Sequence, residues 1–274
     1  MIKNQPHEKN KRKAQNFLIT ALIITGLVFI GVLLFIAPIK QNPNYHLFAD
    51  RRNLLSIPNF WNVISNLPYV ITGLLGLNLI ICKKHQITEN QAITSFLVFF
   101  IGIVLIGIGS CYYHLNPTNH TLFWDRLPMS ISFMAFFSII ISEFTSLKTG
   151  SKILFPLIIT GIASLIYWQI TENNGCGDLR FYGIIQFLPM ILVSIILLFY
   201  NNSYSNKNQF ILILLLYALA KVFESLDYFV FNSSVLISGH TLKHFVSALA
   251  PLLMIKILHK RMRLSNDKHF PQIN

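Results

Sequence analysis

Charged residues are scarce in this chain: Asp, Glu, Lys and Arg make up 12% of its 274 residues, whereas hydrophobic residues make up 53%. A soluble globular domain usually carries about twice that charged fraction, so the composition argues against a soluble enzyme. Cysteine is rarer still: Cys82, Cys111 and Cys176 are the three in the sequence, and none belongs to a CxxC pair. The sequence therefore indicates neither a disulfide framework nor a cysteine-based zinc site.

Acidic residues are the rarer charged class, with 10 Asp and Glu against 22 Lys and Arg, which gives a formal net charge of +12. A strongly basic chain often binds nucleic acid. Here, however, the basic residues form short clusters beside apolar blocks and do not follow one amphipathic face. We therefore expect no nucleic-acid partner and interpret the clusters as membrane-orientation signals.

The hydrophobic residues are gathered into blocks of about 20 residues, the length with which an α-helix crosses about 30 Å of hydrocarbon. These blocks predict helices at 17–36, 59–81, 92–114, 122–143, 152–170, 180–200, 210–231 and 239–258. The first block is longer than the apolar region of a typical signal peptide and no small-residue cleavage site follows it, so we expect it to be retained. The expected fold class is all-α, a polytopic transmembrane helical bundle with a seven-helix core and one extra N-terminal transmembrane helix.

The same blocks define the predicted organisation of the chain. It consists of a basic cytoplasmic tail at 1–16, the extra helix at 17–36, an outer loop at 37–58, the core at 59–258 and a second basic tail at 259–274. With the N-terminus inside, the inner segments contain 14 Lys and Arg residues and the outer segments contain 4. Because loops rich in Lys and Arg stay on the cytoplasmic side, we predict a multi-pass membrane protein with both termini cytoplasmic.

Polar residues within the apolar blocks are the strongest indication of function, because a charge at membrane depth costs several kcal/mol. His240 and His244 are spaced i, i+4 at the start of the last block, so both imidazoles project from one helix face, as two ligands of one metal ion require. Ser110 and His114 repeat that spacing near the end of the third block. The alternating directions of the helices place these residues and Asp125 in one layer of the membrane, toward the outer face.

Three histidines from two helices, with an open coordination position, are typical of a catalytic zinc site. We predict that His114, His240 and His244 bind Zn²⁺, which lowers the pKa of a bound water to about 7 and polarises a carbonyl. Asp125 would orient or deprotonate that water, and Ser110 would donate to a developing oxyanion. An all-histidine site also accepts other divalent ions, so these residues alone do not select zinc.

Five further charged residues lie within or beside the predicted helices. Lys221 and Glu224, spaced i, i+3, are interpreted as a neutralising ion pair inside the bundle. Asp227 either supports the metal site or pairs with Lys243. Arg126 either contacts a lipid phosphate or caps the site.

Four segments of the chain resemble the signature regions of a known family. They are IPNFWNVISNLPY at 57–69, GIGSCYYHL at 107–115, WDRLPM at 124–129 and SGHTLKH at 238–244. In this order they are similar to motifs of the alkaline ceramidases, which belong to a wider superfamily of seven-helix membrane hydrolases that includes the progestin and adipoQ receptors. The resemblance extends over about residues 48–258. It identifies the chain as a bacterial-type member of the ceramidase family.

The resemblance implies functional roles by motif position. It assigns zinc ligation to His114, His240 and His244. It assigns contacts with the zinc-bound water to Asp125 and Ser110. The implied reaction is hydrolysis of a ceramide-like membrane lipid at its amide bond, yielding a long-chain base and a fatty acid, and no obligate protein partner is expected.

The chain departs from the family pattern at two places. Eukaryotic ceramidases have an acidic, calcium-binding segment before the first core helix, where this chain has Arg51 and Arg52. Asp50, Asn53 and Asn59 still offer oxygen ligands there, but calcium is not expected on this pattern. The second departure is the motif DRLPM, in which Arg126 replaces a glutamate of the ceramidases and would favour an anionic head group on the substrate.

Three other functions are compatible with the sequence. A receptor-like lipid-binding member of the same superfamily would share the metal site but show no turnover above that of a metal-site variant. A membrane haem protein would use His114 with His240 or His244 as axial ligands and show a Soret band. A transporter would use the charged residues of the seventh block as a proton relay and show uptake that depends on them.

Overall fold

The computed structural model describes residues 20, 23–83, 90–200 and 207–269, and the regular secondary structure of these residues is helical. A 3-10 helix, Pro43–His46, follows α1 (Ile23–Phe35). The remaining helices are α2 (Phe60–Ile64), α3 (Leu67–Lys83), α4 (Asn90–Leu115), α5 (Asn119–Phe144), α6 (Leu147–Asn173), α7 (Arg180–Phe199), α8 (Lys207–Ser225), α9 (Asp227–Ser234), α10 (Gly239–Ser247) and α11 (Leu249–His269). The all-α prediction is confirmed.

Seven segments of the described residues are long and apolar enough to cross a membrane, and they coincide with the seven core blocks of the sequence. They are Phe60–Lys83, Ile93–Leu115, Asn119–Phe144, Leu147–Asn173, Arg180–Phe199, Lys207–Ser225 and Gly239–Arg261. α1 covers part of the extra helix expected at 17–36, and residues 17–19, 21 and 22 of that block lie outside the described residues. A span formed by this first block therefore stays a prediction.

The helix predicted at 210–231 is divided in the structure. α8 ends at Ser225, and α9 begins at Asp227, whose carboxylate accepts hydrogen bonds from the backbone N–H groups of Ala49 and His240. No hydropathy signal marks this break, since apolar residues continue on both sides of it. The single-helix prediction is wrong here, and the redirected chain places Asp227 beside the start of α10.

α5 is the central helix of the bundle: 78% of the residues in its apolar 18-residue stretch are buried, against 17–44% in the corresponding stretches of the other spans. Its backbone lies close to that of α4, because a Cβ atom at Gly109 would be 2.2 Å from the carbonyl oxygen of Trp124. Glycine permits this approach because it has no side chain. The contact sets Ser110 of α4 at the level of Asp125 of α5.

The end of α1 is attached to the core by one arginine. Arg180 Nη1 donates to the carbonyl oxygens of Leu33 and Ile36 at 2.9 and 2.5 Å. The same guanidinium forms an ion pair with Asp178 at 2.6 Å. Burial raises the pKa of Asp178, but hydrogen bonds from Arg180 and Tyr167 outweigh this effect and lower the pKa to about 2. The carboxylate is therefore ionised at neutral pH and holds the guanidinium against the last carbonyl groups of α1.

Candidate metal centre

The three histidines predicted as metal ligands come from the ends of two helices. His114 lies in the last turn of α4. α10 begins after Ser238, whose hydroxyl accepts a hydrogen bond from the N–H of Thr241 and so caps the helix just before His240. His244 follows one turn later on the same face of α10. The chain therefore presents two imidazoles from α10 toward the end of α4.

The structure brings these three side chains together. One ring nitrogen from each of His114, His240 and His244 lies within 4.8 Å of the others. The Nε2 atoms of His114 and His240 are 3.3 Å apart. The three residues are buried, with exposures of 1%, 5% and 3%.

The arrangement of nitrogen atoms fits a divalent metal ion. Two nitrogens that are each about 2.0–2.1 Å from one tetrahedral zinc ion are roughly 3.3 Å apart, so the spacing of His114 and His240 suits a shared ion. His244 Nδ1 lies 2.7 Å from Ser65 Oγ, which itself donates to the Asn62 carbonyl at 3.2 Å. Because Ser65 donates to Asn62, its oxygen is available to accept a hydrogen bond from a proton on His244 Nδ1, an arrangement in which Nε2 keeps its lone pair for coordination.

Ser110 and Asp125 lie beside this cluster. Ser110 is one turn before His114 in α4, and its hydroxyl interacts with Asp125. Both residues line a cavity of about 140 Å³ together with His244. Three of the five residues selected from the sequence, Ser110, Asp125 and His244, therefore line one cavity, and His244 connects it to the imidazoles of His114 and His240.

A segment to which the sequence assigned no role covers the histidines. The ring centroid of Phe48 lies 4.7 Å from the ring centroids of both His114 and His240. Phe48 is 3% exposed. The 37–58 loop therefore shields one side of the site from water. Its sequence has no helical period and no polar motif that would have revealed this contact.

Asp227 joins this loop to α10. Its Oδ2 accepts a hydrogen bond from the N–H of Ala49 at 2.9 Å, and its Oδ1 accepts one from the N–H of His240 at 2.8 Å. The second bond satisfies an N–H group in the first turn of α10, which has no partner within the helix. Of the two roles expected for Asp227, support of the metal site matches these contacts. Lys243, the other expected partner, pairs with Glu224 at 3.0 Å.

Asp227→Asn is expected to lower metal affinity by about 10- to 100-fold, the usual effect of losing a group that positions a metal ligand. The amide nitrogen of asparagine cannot accept a hydrogen bond, so the N–H of either Ala49 or His240 loses its partner. Chelator competition on the purified protein measures the affinity. Asp178→Asn removes a buried carboxylate far from the histidines in sequence and should leave metal affinity unchanged. Wild-type affinity in Asp227→Asn would contradict the supporting role.

The ion pair expected between Lys221 and Glu224 is present, with 2.6 Å between Nζ and Oε2. It is part of a larger cluster, because Glu224 Oε1 also accepts from Lys243 at 3.0 Å and from the Tyr45 hydroxyl at 3.3 Å. The three charged residues line the same cavity as Asp125. Tyr45 belongs to the 37–58 loop, so this cluster is a second attachment of the loop to the core.

Arg126 points away from this cavity, and both roles expected for it are wrong. Its guanidinium carbon lies 5.3, 4.9 and 5.0 Å from the ring centroids of Tyr45, Trp168 and Tyr182. Successive residues of a helix differ by about 100° in direction, so Arg126 turns toward α6 and α7 when Asp125 faces the cavity. The residue is 8% exposed and enclosed by aromatic rings, so it neither caps the site nor meets a lipid phosphate.

Two of the residues considered for calcium, Asp50 and Asn59, have other partners. The Asp50 carboxylate forms an ion pair with Arg52 at 2.6 Å, and Arg52 also donates to the carbonyl oxygen of Leu236 at 2.8 Å. The side-chain amide of Asn59 donates to the carbonyl oxygen of His114 at 2.8 Å. The Asp50 carboxylate is therefore already neutralised by a guanidinium, which does not fit a role as a calcium ligand.

The fold and the site together define a class of protein: a multi-pass membrane protein whose helices enclose a buried three-histidine group able to hold a metal ion. The model of a family described as Ceramidase matches residues 54–269, and the chain belongs to the ceramidase family. No curated protein matches the chain. Family membership supports a ceramidase-type hydrolase and confirms the resemblance found in the four sequence motifs. α1 and most of the 37–58 loop precede the matched residues.

Proposed function

We propose that this protein is a zinc-dependent amidohydrolase that cleaves the amide bond of ceramide-like membrane lipids to a long-chain base and a fatty acid. The observation that carries the proposal is a group of three buried imidazoles, one of which, that of His244, lines the same cavity as Ser110 and Asp125. A hydrolase of a lipid amide needs a polar reaction centre continuous with an apolar channel. The cavity supplies both.

The three histidines are the proposed zinc ligands. His114, His240 and His244 would hold the ion, and Ser65 would orient His244 through the hydrogen bond to its Nδ1. When bound, zinc supplies a Lewis acid that polarises the amide carbonyl and makes water nucleophilic near neutral pH. Burial of the three rings keeps competing water away from their nitrogen atoms.

Asp125 and Ser110 are proposed to handle the proton and the developing negative charge. Asp125 takes a proton from the attacking water as the water oxygen bonds to the amide carbon. The Ser110 hydroxyl donates to the carbonyl oxygen as that oxygen gains negative charge. Asp125 then returns the proton to the amide nitrogen as the carbon–nitrogen bond breaks. Water is consumed, and a fatty acid and an amine leave.

The orientation of the protein in the membrane is proposed from its charges. The inner segments contain 14 Lys and Arg residues and the outer segments contain 4, counted with the N-terminus inside. Both termini are then cytoplasmic, and the histidines lie toward the outer face. Cysteine accessibility labelling of single-cysteine variants in whole cells would test this topology.

Purified full-length protein in detergent, stripped with a chelator and reloaded with zinc, tests the proposed function. The loaded protein should release both sphingosine and palmitate from N-palmitoylsphingosine, detected by mass spectrometry, and the stripped protein should release neither. Stoichiometric zinc with lipid binding but no product would identify a receptor-like member of the superfamily. A Soret band in the purified protein would identify a haem protein.

A further inference from the structure

The cavity beside the metal centre changes character along its length. One end is lined by apolar side chains of α4, α5, α7 and α8, among them Phe99, Phe136, Met190 and Ile213. Along α8 the lining extends from Ile213 to Glu224, which is roughly 16 Å at about 1.5 Å per residue. The other end is polar and contains the site residues. A long acyl chain matches the apolar end, so the head group of a bound lipid lies at the polar end.

Two ammonium groups and one carboxylate line this polar end. Lys221 and Lys243 contact Glu224 at 2.6 and 3.0 Å, and their side chains are 36% and 18% exposed. Each ammonium carries three N–H donors. Among the described residues, Glu224 is the one hydrogen-bond partner seen for either ammonium. Donors are therefore left over on both lysines.

The charge of this end of the cavity is not balanced by Glu224. One carboxylate faces two ammonium groups, and Asp125 is the other carboxylate among the residues that line the cavity. Asp125 interacts with Ser110 and is the proposed proton carrier. The two lysines and the two carboxylates of the lining therefore balance each other, and a divalent ion on the histidines would make the site positive overall. Charged side chains at membrane depth mark substrate pathways, and an excess of positive charge favours an anionic ligand.

The order of groups along the cavity matches the order of groups in an N-acylated lipid. The apolar end takes the acyl chain, Ser110 and Asp125 adjoin the amide, and Lys221 and Lys243 lie beside them on α8 and α10. Lys243 directly precedes His244, so its ammonium and the histidine ring start from adjacent positions of one helix. A group attached a few bonds beyond the amide nitrogen is then within reach of the lysines.

We infer that Lys221 and Lys243 form a subsite for an anionic head group, and that the protein prefers N-acyl lipids carrying a phosphate or carboxylate near the amide. This inference rests on the proposed function and names its substrate class. The DRLPM motif predicted that Arg126 would favour an anionic head group, and Lys221 and Lys243 take that role instead. Glu224 holds the two ammonium groups in place for the ligand.

The experiment compares N-palmitoylsphingosine, its 1-phosphate and N-palmitoylserine on zinc-loaded protein. Wild type should show a kcat/KM about tenfold higher on the two anionic lipids. Lys243→Gln should lower kcat/KM on the anionic lipids by about 10- to 100-fold more than on the neutral lipid, the effect of losing one charge-assisted hydrogen bond. Lys243→Arg should retain the preference. Lys256→Gln, an exposed lysine outside the cavity on α11, is the matched control and should behave as wild type.

Binding gives a readout that does not depend on turnover. Dodecyl phosphate should raise the thermal midpoint of wild type more than dodecanol does, and Lys243→Gln should remove the difference. If Lys243→Gln fails to fold or loses zinc, the same two comparisons are made on Lys221→Gln, because Lys221 lies on α8 and is not adjacent to a metal ligand in sequence. Equal losses on neutral and anionic lipids, or a wild-type preference for the neutral lipid, would overturn the subsite. Hydrolysis of none of the three lipids by zinc-loaded protein would instead overturn the proposed function.

Discussion

His240→Ala is expected to abolish metal binding and, with it, lipid-amide hydrolysis, by on the order of a thousandfold or more. His240 Nε2 lies 3.3 Å from His114 Nε2, so its removal leaves an incomplete ligand set in a buried pocket. The metal content of purified protein and release of palmitate from N-palmitoylsphingosine measure the two losses. His120→Ala, an exposed histidine in the first turn of α5, is the matched control and should retain both properties.

This prediction separates a metal-dependent reaction from a structural role of the histidines. A structural role would lower the thermal midpoint without a specific loss of zinc. Full metal content and wild-type turnover in His240→Ala would contradict the assignment of this residue as a ligand.

Asp125→Asn is expected to keep the metal and to lower kcat by about 10² to 10⁴-fold, the usual contribution of a general acid–base residue. Asparagine has nearly the same shape as aspartate, but it cannot take up a proton. Zinc stoichiometry and kcat on one lipid amide measure the two effects. Glu172→Gln replaces another membrane carboxylate that accepts a hydrogen bond, from Asn119, and should leave kcat unchanged.

The two variants are expected to differ in zinc content, although both lose turnover. Loss of turnover with zinc retained in Asp125→Asn, and loss of both in His240→Ala, is the pattern that the proposed roles require. Wild-type kcat in Asp125→Asn would remove Asp125 from the reaction, and the proton transfer would then need another residue of the cavity.

The sequence was sufficient to find the histidines because two simple regularities converge on them. The i, i+4 spacing of His240 and His244 fixes their common helix face, and the alternating direction of apolar helices brings His114 to the same level. Both regularities depend on local geometry and helix count alone. They survive the division of single spans into shorter helices, as with α10 and α11.

The loop over the site could not be predicted in the same way. Phe48 is one of 23 phenylalanines in the chain, and its contact with His114 joins positions that are 66 residues apart. The break before Asp227 depends on hydrogen bonds to Ala49 and His240, which no local pattern encodes. Contacts of this kind are set by tertiary packing, which overrides the hydropathy of the segment.

The error over Arg126 has a different origin, since helix geometry alone could have prevented it. Adjacent residues on a helix point about 100° apart, so Arg126 cannot share the direction of Asp125. The aromatic rings of Tyr45, Trp168 and Tyr182 that enclose Arg126 come from three distant segments. The direction of the Arg126 side chain was predictable from the sequence, but the three aromatic rings that surround it were not.

Zinc X-ray absorption spectroscopy on the purified full-length protein tests the central claim most directly. The account predicts one zinc ion per chain with three imidazole ligands, and the loss of one imidazole or of the ion in His114→Ala. A protein without bound divalent metal after reconstitution, or a zinc spectrum that His114→Ala leaves unchanged, would contradict it.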